Sequence, residues 1–181
     1  MFKNAVLETD RLIIRPLRLE DDTTLHDVVS REEVMHFLPE GVMSLDEVRD
    51  IITWLLKCYD ENTPQNIKKW TLAVVRKDSS EVIGWCGLGR LDFSCDEIEL
   101  FCGLSDSYWG RGIAAEACRA VLDYAFSSIG LSRIVAVVDP ENSRSRRLIE
   151  KIGMQLEKQI GDLPKEFGHY EGFLYYSISR K

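Results

Sequence analysis

The sequence predicts an α/β fold built on a mixed central sheet, and three observations predict it. Apolar strand segments run into helix starts twice in the second half, at Leu104 and Val138; a short polar turn joins two strand segments in the middle; amphipathic helical patterns fill the first third. Arg11 to Leu17 reads as the first strand and about Leu19 to Ser30 as a helix. A second helix runs from about Leu45 to Tyr59, where Val48, Ile51, Ile52, Leu55 and Leu56 recur at helical spacing behind Ser44, a good N-cap. Strands at Trp70 to Val75 and Val82 to Leu91 flank the polar turn Arg76 to Ser80 and read as a hairpin. Ile98 to Leu104 is the next strand. A helix over Gly112 to Phe126 places Ile113, Ala117, Val121 and Ala125 on one face. After the strand Arg133 to Val138, Asn142 caps a helix with the stripe Leu148, Ile149 and Ile152, and Gly153 stops it. Gly172 to Ser179 alternates enough to be the final strand.

A chain of 181 residues with 45% hydrophobic content is enough for one sizeable core, so residues 1–181 are expected to form a single domain. The formal charge of −7 and a pI near 5.1 disfavour non-specific nucleic-acid binding; they are explained by solubility and only weakly favour a cationic partner. The five cysteines, Cys58, Cys86, Cys95, Cys102 and Cys118, are odd in number and lack paired metal-ligand spacing, which points to a reducing compartment and no metal site. His26, His36 and His169 likewise have no ligand spacing. Charged residues follow Met1 to Leu7 directly, and no apolar run approaches a membrane span, so the expected place is the cytoplasm, with no membrane partner.

The segment Ser105 to Ala117 carries the most chemistry. Gly110 and Gly112 stand where a strand gives way to a helix. The first amides of a helix lack intrahelical partners and sit at the positive end of its dipole, so an anion can be held there without a basic side chain. Glycine lets the anion come close and tolerates positive φ, and Arg111 can add a charge-assisted hydrogen bond. The pattern Gly110, Gly112 and Ala115 also fits a relaxed dinucleotide fingerprint, with Asp139 beyond the expected spacing. Against that reading, the five residues Ser105 to Trp109 separate strand from fingerprint, and about 70 residues are too few for the rest of a doubly wound domain. No Gly-Lys-Ser/Thr follows the glycines, which excludes a Walker loop.

Tyr108 to Glu116, paired with Asn142, Ser145, Arg147 to Lys151 and Gly153 and preceded by Leu7 to Leu17, resembles the GNAT acyltransferases, specifically their RimJ/RimL-type branch. The resemblance implies a GNAT fold: a mixed, mostly antiparallel sheet of about six to seven strands flanked by about four helices. It implies acetyl-CoA as cofactor and CoA as product, with the pyrophosphate on Trp109, Gly110, Arg111, Gly112, Ile113 and Ala114. The pantetheine would run between splayed strands ending near Leu104 and Val138 and pair with backbone around Cys102, Gly103 and Leu104. Asn142 and Ser145 would complete the cofactor site. Trp109 departs from the superfamily's usual Gln or Arg and is expected to pack the loop; Arg147 and Lys151 fit a solvated helix face.

The resemblance also implies direct transfer to a primary amine in a ternary complex, the acceptor being a protein N-terminal amine or a small amine and the enzyme a monomer or homodimer. Such transfer needs the amine neutral and the departing thiolate stabilised. Glu99 matches the branch's strand glutamate, and apolar neighbours would raise its pKa toward that of a working base; Asp96 and Glu97 fit solvent-facing charges. Ser145 matches a serine near the thioester sulfur that could act as general acid; Ile149 stands where many relatives carry a tyrosine. Phe37, Leu38, Trp54 and Trp85 are candidates to line the acceptor pocket, although core packing also accounts for the tryptophans. Gly112→Glu is expected to abolish CoA binding with little effect on folding if the residue is unstrained. The alternative to an enzyme is a catalytically silent acyl-CoA-binding module.

Overall fold

A computed structural model describes residues 1–180 of the chain; the side chain of Cys95 also lies outside the described residues. Eight strands form one sheet: β1 (Leu7–Glu8), β2 (Leu12–Pro16), β3 (Lys69–Arg76), β4 (Val82–Leu91), β5 (Ser94–Leu104), β6 (Arg133–Val138), β7 (Gln155–Gln159) and β8 (Leu174–Ser179). Their order is β1-β2-β3-β4-β5-β6-β8-β7, and every pair is antiparallel except β5 with β6. The helices are α1 (Asp22–Val29), α2 (Glu32–Met35), α3 (Leu45–Glu61), α4 (Ile113–Tyr124) and α5 (Ser143–Lys151), with a π-helical turn at Ala125–Ile129 extending α4.

The mixed α/β sheet agrees with expectation, but the counts of six to seven strands and four helices are too low. The additions are small: β1 has two residues, α2 has four, and every residue of β7 is exposed. None carries the apolar periodicity that marks an element in sequence. The capped elements fall where they were read. Ser44 accepts from the Glu47 amide while Glu47 reaches back to Ser44, a reciprocal capping box, and Asn142 Oδ1 accepts from the Ser145 amide at 3.0 Å.

The core lies where α3 and α4 pack on the sheet, around fully buried Ile52, Leu55, Trp70, Leu72, Leu88, Ala117 and Val121. Trp70 Nε1 donates to the Phe2 carbonyl at 3.1 Å, which ties the N-terminal segment to the middle of the sheet. Arg15 and Asp21 form a largely buried bidentate pair at 2.7 and 2.8 Å. Among the described residues no helix is long and apolar enough to cross a membrane.

Candidate functional site

Parallel β5 and β6 meet at one register pair, Glu99 with Val135, and then diverge. Beyond it, β5 stays paired with β4 as far as Leu104, and β6 stays paired with β8 as far as Val138. The divergence leaves Phe101 to Leu104 and Ala136 to Val138 without ladder pairing to each other, and the gap between these strand ends is the candidate cleft. The divergence also strips β6 amides of a ladder partner, and one is recovered by a side chain: Val137 N–H donates to Glu99 Oε1 at 3.3 Å. Glu99 is half-buried, and desolvation pushes its carboxyl up to about 7 against the opposing pull of Lys69 and the Val137 bond. Glu97, by contrast, pairs with Arg133 at 3.7 Å.

The loop between β5 and α4 has the geometry its glycines predict. Gly110 and Gly112 both lie in the left-handed region, at φ +73° and +74°, and Gly112 is the N-cap of α4 with no side chain capping it. Nothing lies within 4 Å of a Cβ built on Gly110; on Gly112 only Arg11 Nη2, at 3.8 Å, and Lys151 Nζ, at 4.0 Å, come close. Open space, uncapped amides and two nearby cations fit a pyrophosphate. The positive φ changes one expectation: Gly112→Glu strains the backbone as well as placing a carboxylate in the loop. Ile113 is a core residue, so only its amide faces the task assigned to it, and Ala114 is half-buried beside it. Lys151, set aside in sequence as a helix-face residue, borders the same open groove as Gly112, whereas Arg147 folds back on Ser143.

Four residues outside the expected set, Arg11, Thr9, Glu116 and Arg144, hold this loop. Arg11 donates through Nη1 to the Arg111 carbonyl at 3.0 Å and through Nε to Glu116 at 2.7 Å, and Thr9 Oγ1 donates to Glu116 at 2.6 Å. Burial alone would raise the Glu116 pKa, but these donors take it below the usual range. Arg144, on the first turn of α5, stacks its guanidinium 4.1 Å from the Trp109 ring. Trp109 packs the loop as expected, and its Nε1 donates to the Leu104 carbonyl at 2.9 Å. That carbonyl is already engaged, so the pantetheine ladder expected over Cys102 to Leu104 loses one free acceptor at its end. Gly103 is needed for another reason: a Cβ there would lie 2.3 Å from the Trp85 ring, its cross-strand neighbour.

Ser145 is half-buried at the start of α5, with its amide on Asn142 and its hydroxyl in no hydrogen bond among the described residues. An aromatic cluster beside the start of β5 contains residues the sequence did not single out. Tyr170 donates to Asp92 at 2.6 Å, and its ring packs with Phe93 at 5.1 Å and Phe173 at 5.7 Å. Burial, the hydrogen bond to Asp92 and the charges of Asp92, Glu99 and Glu40 push its phenol well above the ordinary range. Phe37 and Leu38, in the loop after α2, are 37% and 38% exposed, so neither is tucked into a closed pocket. Trp85 is half-buried over Gly103, and Trp54, at 50% exposure, is not the core residue its type suggested.

The chain matches the family model described as the acetyltransferase (GNAT) domain over residues 11–155. It is 30% identical over 176 residues to the uncharacterized N-acetyltransferase p20 of Bacillus licheniformis, covering 97% of this chain and 96% of the relative. It is 25% identical over 154 residues to spermidine N(1)-acetyltransferase of Escherichia coli, covering 85% and 76%. A crystal structure of a GNAT-family acetyltransferase from Bacillus anthracis superposes with a TM-score of 0.77 at 27% identity, covering 97% of this chain and 98% of that one. With its uncapped glycine loop and diverging strand pair, the chain belongs to the GNAT family of acetyl-CoA-dependent N-acetyltransferases.

Proposed function

We propose that the chain acetylates a primary amine carried on a small cationic molecule, with Glu99 as the base, and that it is of the RimJ/RimL type. The observation that carries this is the half-buried Glu99 carboxyl, held near pH 7 at the point where β5 and β6 part. A base with that pKa is ionised enough at neutral pH to take the ammonium proton and basic enough to drive the transfer. The loop amides of Gly110 to Ala114, with Arg11, Arg111 and Lys151 at the rim, would hold the pyrophosphate; Cys102, Gly103 and Asn142 border the route of the thioester arm. The amine nitrogen forms its bond to the acetyl carbon as the carbon–sulfur bond breaks. Glu99 receives the amine proton, and the Ser145 hydroxyl donates to the departing sulfur.

The acceptor end supports a cation. Asp92 accepts from Tyr170, the negative charges of Glu99 and Glu40 also act on that phenol, and Phe93 and Phe173 supply aromatic faces that attract ammonium groups. The naming of one relative for spermidine is consistent with that class. A protein N-terminal amine is the other acceptor class, for which the exposed Phe37 and Leu38 would offer a surface to the polypeptide. The chain is proposed to act in the cytoplasm as one domain over residues 1–181, as a monomer or homodimer.

CoA release measured with polyamines and with N-terminal peptides tests the proposal. Turnover with polyamines that is lost in Glu99→Gln supports it. Turnover with peptides alone would transfer the assignment to protein N-termini, and binding of acetyl-CoA without turnover on any amine would leave a silent acyl-CoA module.

A further inference from the structure

Three cysteines with no recognisable spacing in sequence converge in the fold. Cys86 on β4 and Cys102 on β5 are cross-strand partners, and Cys118 lies on the face of α4 that packs against them, its sulfur 3.8 Å from that of Cys86. All three sulfurs lie within 4.8 Å of one another, and none is in a disulfide. A disulfide needs sulfurs about 2.0 Å apart, so this spacing instead leaves room for an ion between them. Three sulfurs at about 2.3 Å from a central ion stand about 3.5 Å from each other around a pyramidal centre and about 4.0 Å around a planar one, so small side-chain rotations would close the cluster on either. Cys86 and Cys118 are buried while Cys102 is half-buried, so entry is from the β5 side.

We propose that Cys86, Cys102 and Cys118 form a three-sulfur site for a trivalent thiophilic ion of the arsenite class. Charge selects the ion. Three thiolates around a monovalent ion leave two buried negative charges, and around a divalent ion one, whereas a trivalent centre leaves none. The neighbouring side chains on the same sheet face, Leu88 and Leu100, are apolar and buried and cannot compensate a charge. The group of potential ligands includes no fourth donor among the described residues, so the tetrahedral preference of zinc is unmet. The reaction balances without a redox change: arsenous acid and three thiols give one arsenic bound to three sulfurs and three waters. Three As–O bonds break, three As–S bonds form, and each thiol proton leaves on a water. Occupancy would tie β5 to α4, the two elements that carry the candidate pantetheine strand and the phosphate-loop helix, and would therefore alter acetyl-CoA binding.

The test is native intact-mass measurement of the full chain with arsenite, in a buffer whose reductant is not a thiol. The expected adduct is one arsenic with three hydrogens lost, absent in Cys118→Ala and in Cys86→Ala and retained in Cys58→Ala. Peptide mapping of the unmutated protein gives a check that needs no variant to fold: arsenite is expected to shield Cys102, the one of the three within reach of reagent, from alkylation while Cys58 labelling is unchanged. Acetyl-CoA affinity should change with the same arsenite dependence as the adduct. No adduct, an adduct that persists in Cys118→Ala, or an unchanged alkylation pattern would overturn the proposal.

Discussion

Glu99→Gln is expected to make the enzyme slower and the fold more stable at once, and the stability effect should depend on pH. The Glu99 pKa is raised from 4.5 to about 7 in the folded chain, chiefly by desolvation. Because the folded value lies above the unfolded one, the native state binds more protons between these two pH values, and stability falls as pH rises through that window. A displacement of this size corresponds to roughly 3 kcal/mol once Glu99 is fully ionised, an upper bound because the side chain keeps some access to water. Glutamine retains an oxygen to accept from the Val137 amide and has no charge to desolvate. At pH 8 the variant should therefore unfold at a temperature higher by up to roughly 10 °C, and the gap should close toward pH 5. Its turnover should fall by roughly 10² to 10⁴-fold, the contribution of a positioned base. Unfolding scans from pH 5 to 9, with CoA release measured on an accepted amine, read both effects. A stability difference that does not vary with pH, or an undiminished rate, would refute the reasoning.

Four further changes probe the rest of the site. Gly112→Ala places a Cβ at φ +74°, so it should cost roughly 1 to 2 kcal/mol in unfolding free energy and weaken acetyl-CoA binding measured by calorimetry. Arg11→Ala removes the donor to the Arg111 carbonyl and the partner of Glu116; KM for acetyl-CoA should rise with kcat little changed, and, because Arg11 is well exposed, stability should fall by only about 1 kcal/mol. Gly103→Ala drives a methyl into the Trp85 ring and should cost roughly 1 to 3 kcal/mol with a changed tryptophan emission. Ser145→Ala should lower kcat while acetyl-CoA affinity holds; an unchanged kcat would remove the hydroxyl from the reaction.

What could be read from the sequence followed the strength of local signals. Ser44 and Asn142 announced their helices because a cap is a short-range hydrogen bond between near neighbours, and both bonds are present. Gly110 and Gly112 announced the loop because positive φ excludes most other residues. The edge strand β7, Gln155–Gln159, was invisible because it is defined by backbone pairing with β8 alone; its side chains are all exposed and carry no alternation. Tyr170 and Asp92 were missed for a different reason. Each is unremarkable in its own segment, and only the return of β8 beside β6 brings the stretch between β7 and β8 against the turn after β4. The three-cysteine cluster is a matter of sheet register and helix packing, which no spacing rule encodes.

Trp109 braces the candidate phosphate loop in two ways at once. At the start of the candidate phosphate loop, where the family resemblance implies Gln or Arg, this chain has an indole, which donates to the Leu104 carbonyl and offers its face to Arg144. Arg144 thus adds a cation from α5 in addition to Arg111 of the loop itself. That links the loop before α4 to α5, which also carries Asn142 at its cap and Ser145 in its first turn, the two residues proposed for the cofactor site. If Arg144 acts through this stack, Arg144→Lys should weaken acetyl-CoA binding although the charge is kept, because an ammonium lacks the planar surface that stacks on an indole. Trp109→Phe should have the opposite profile, keeping the stack while losing the Leu104 bond. A double-mutant cycle on acetyl-CoA affinity then separates the two: coupling between positions 109 and 144 means the loop is braced by the stack. Additive effects would mean that the indole's hydrogen bond alone holds it.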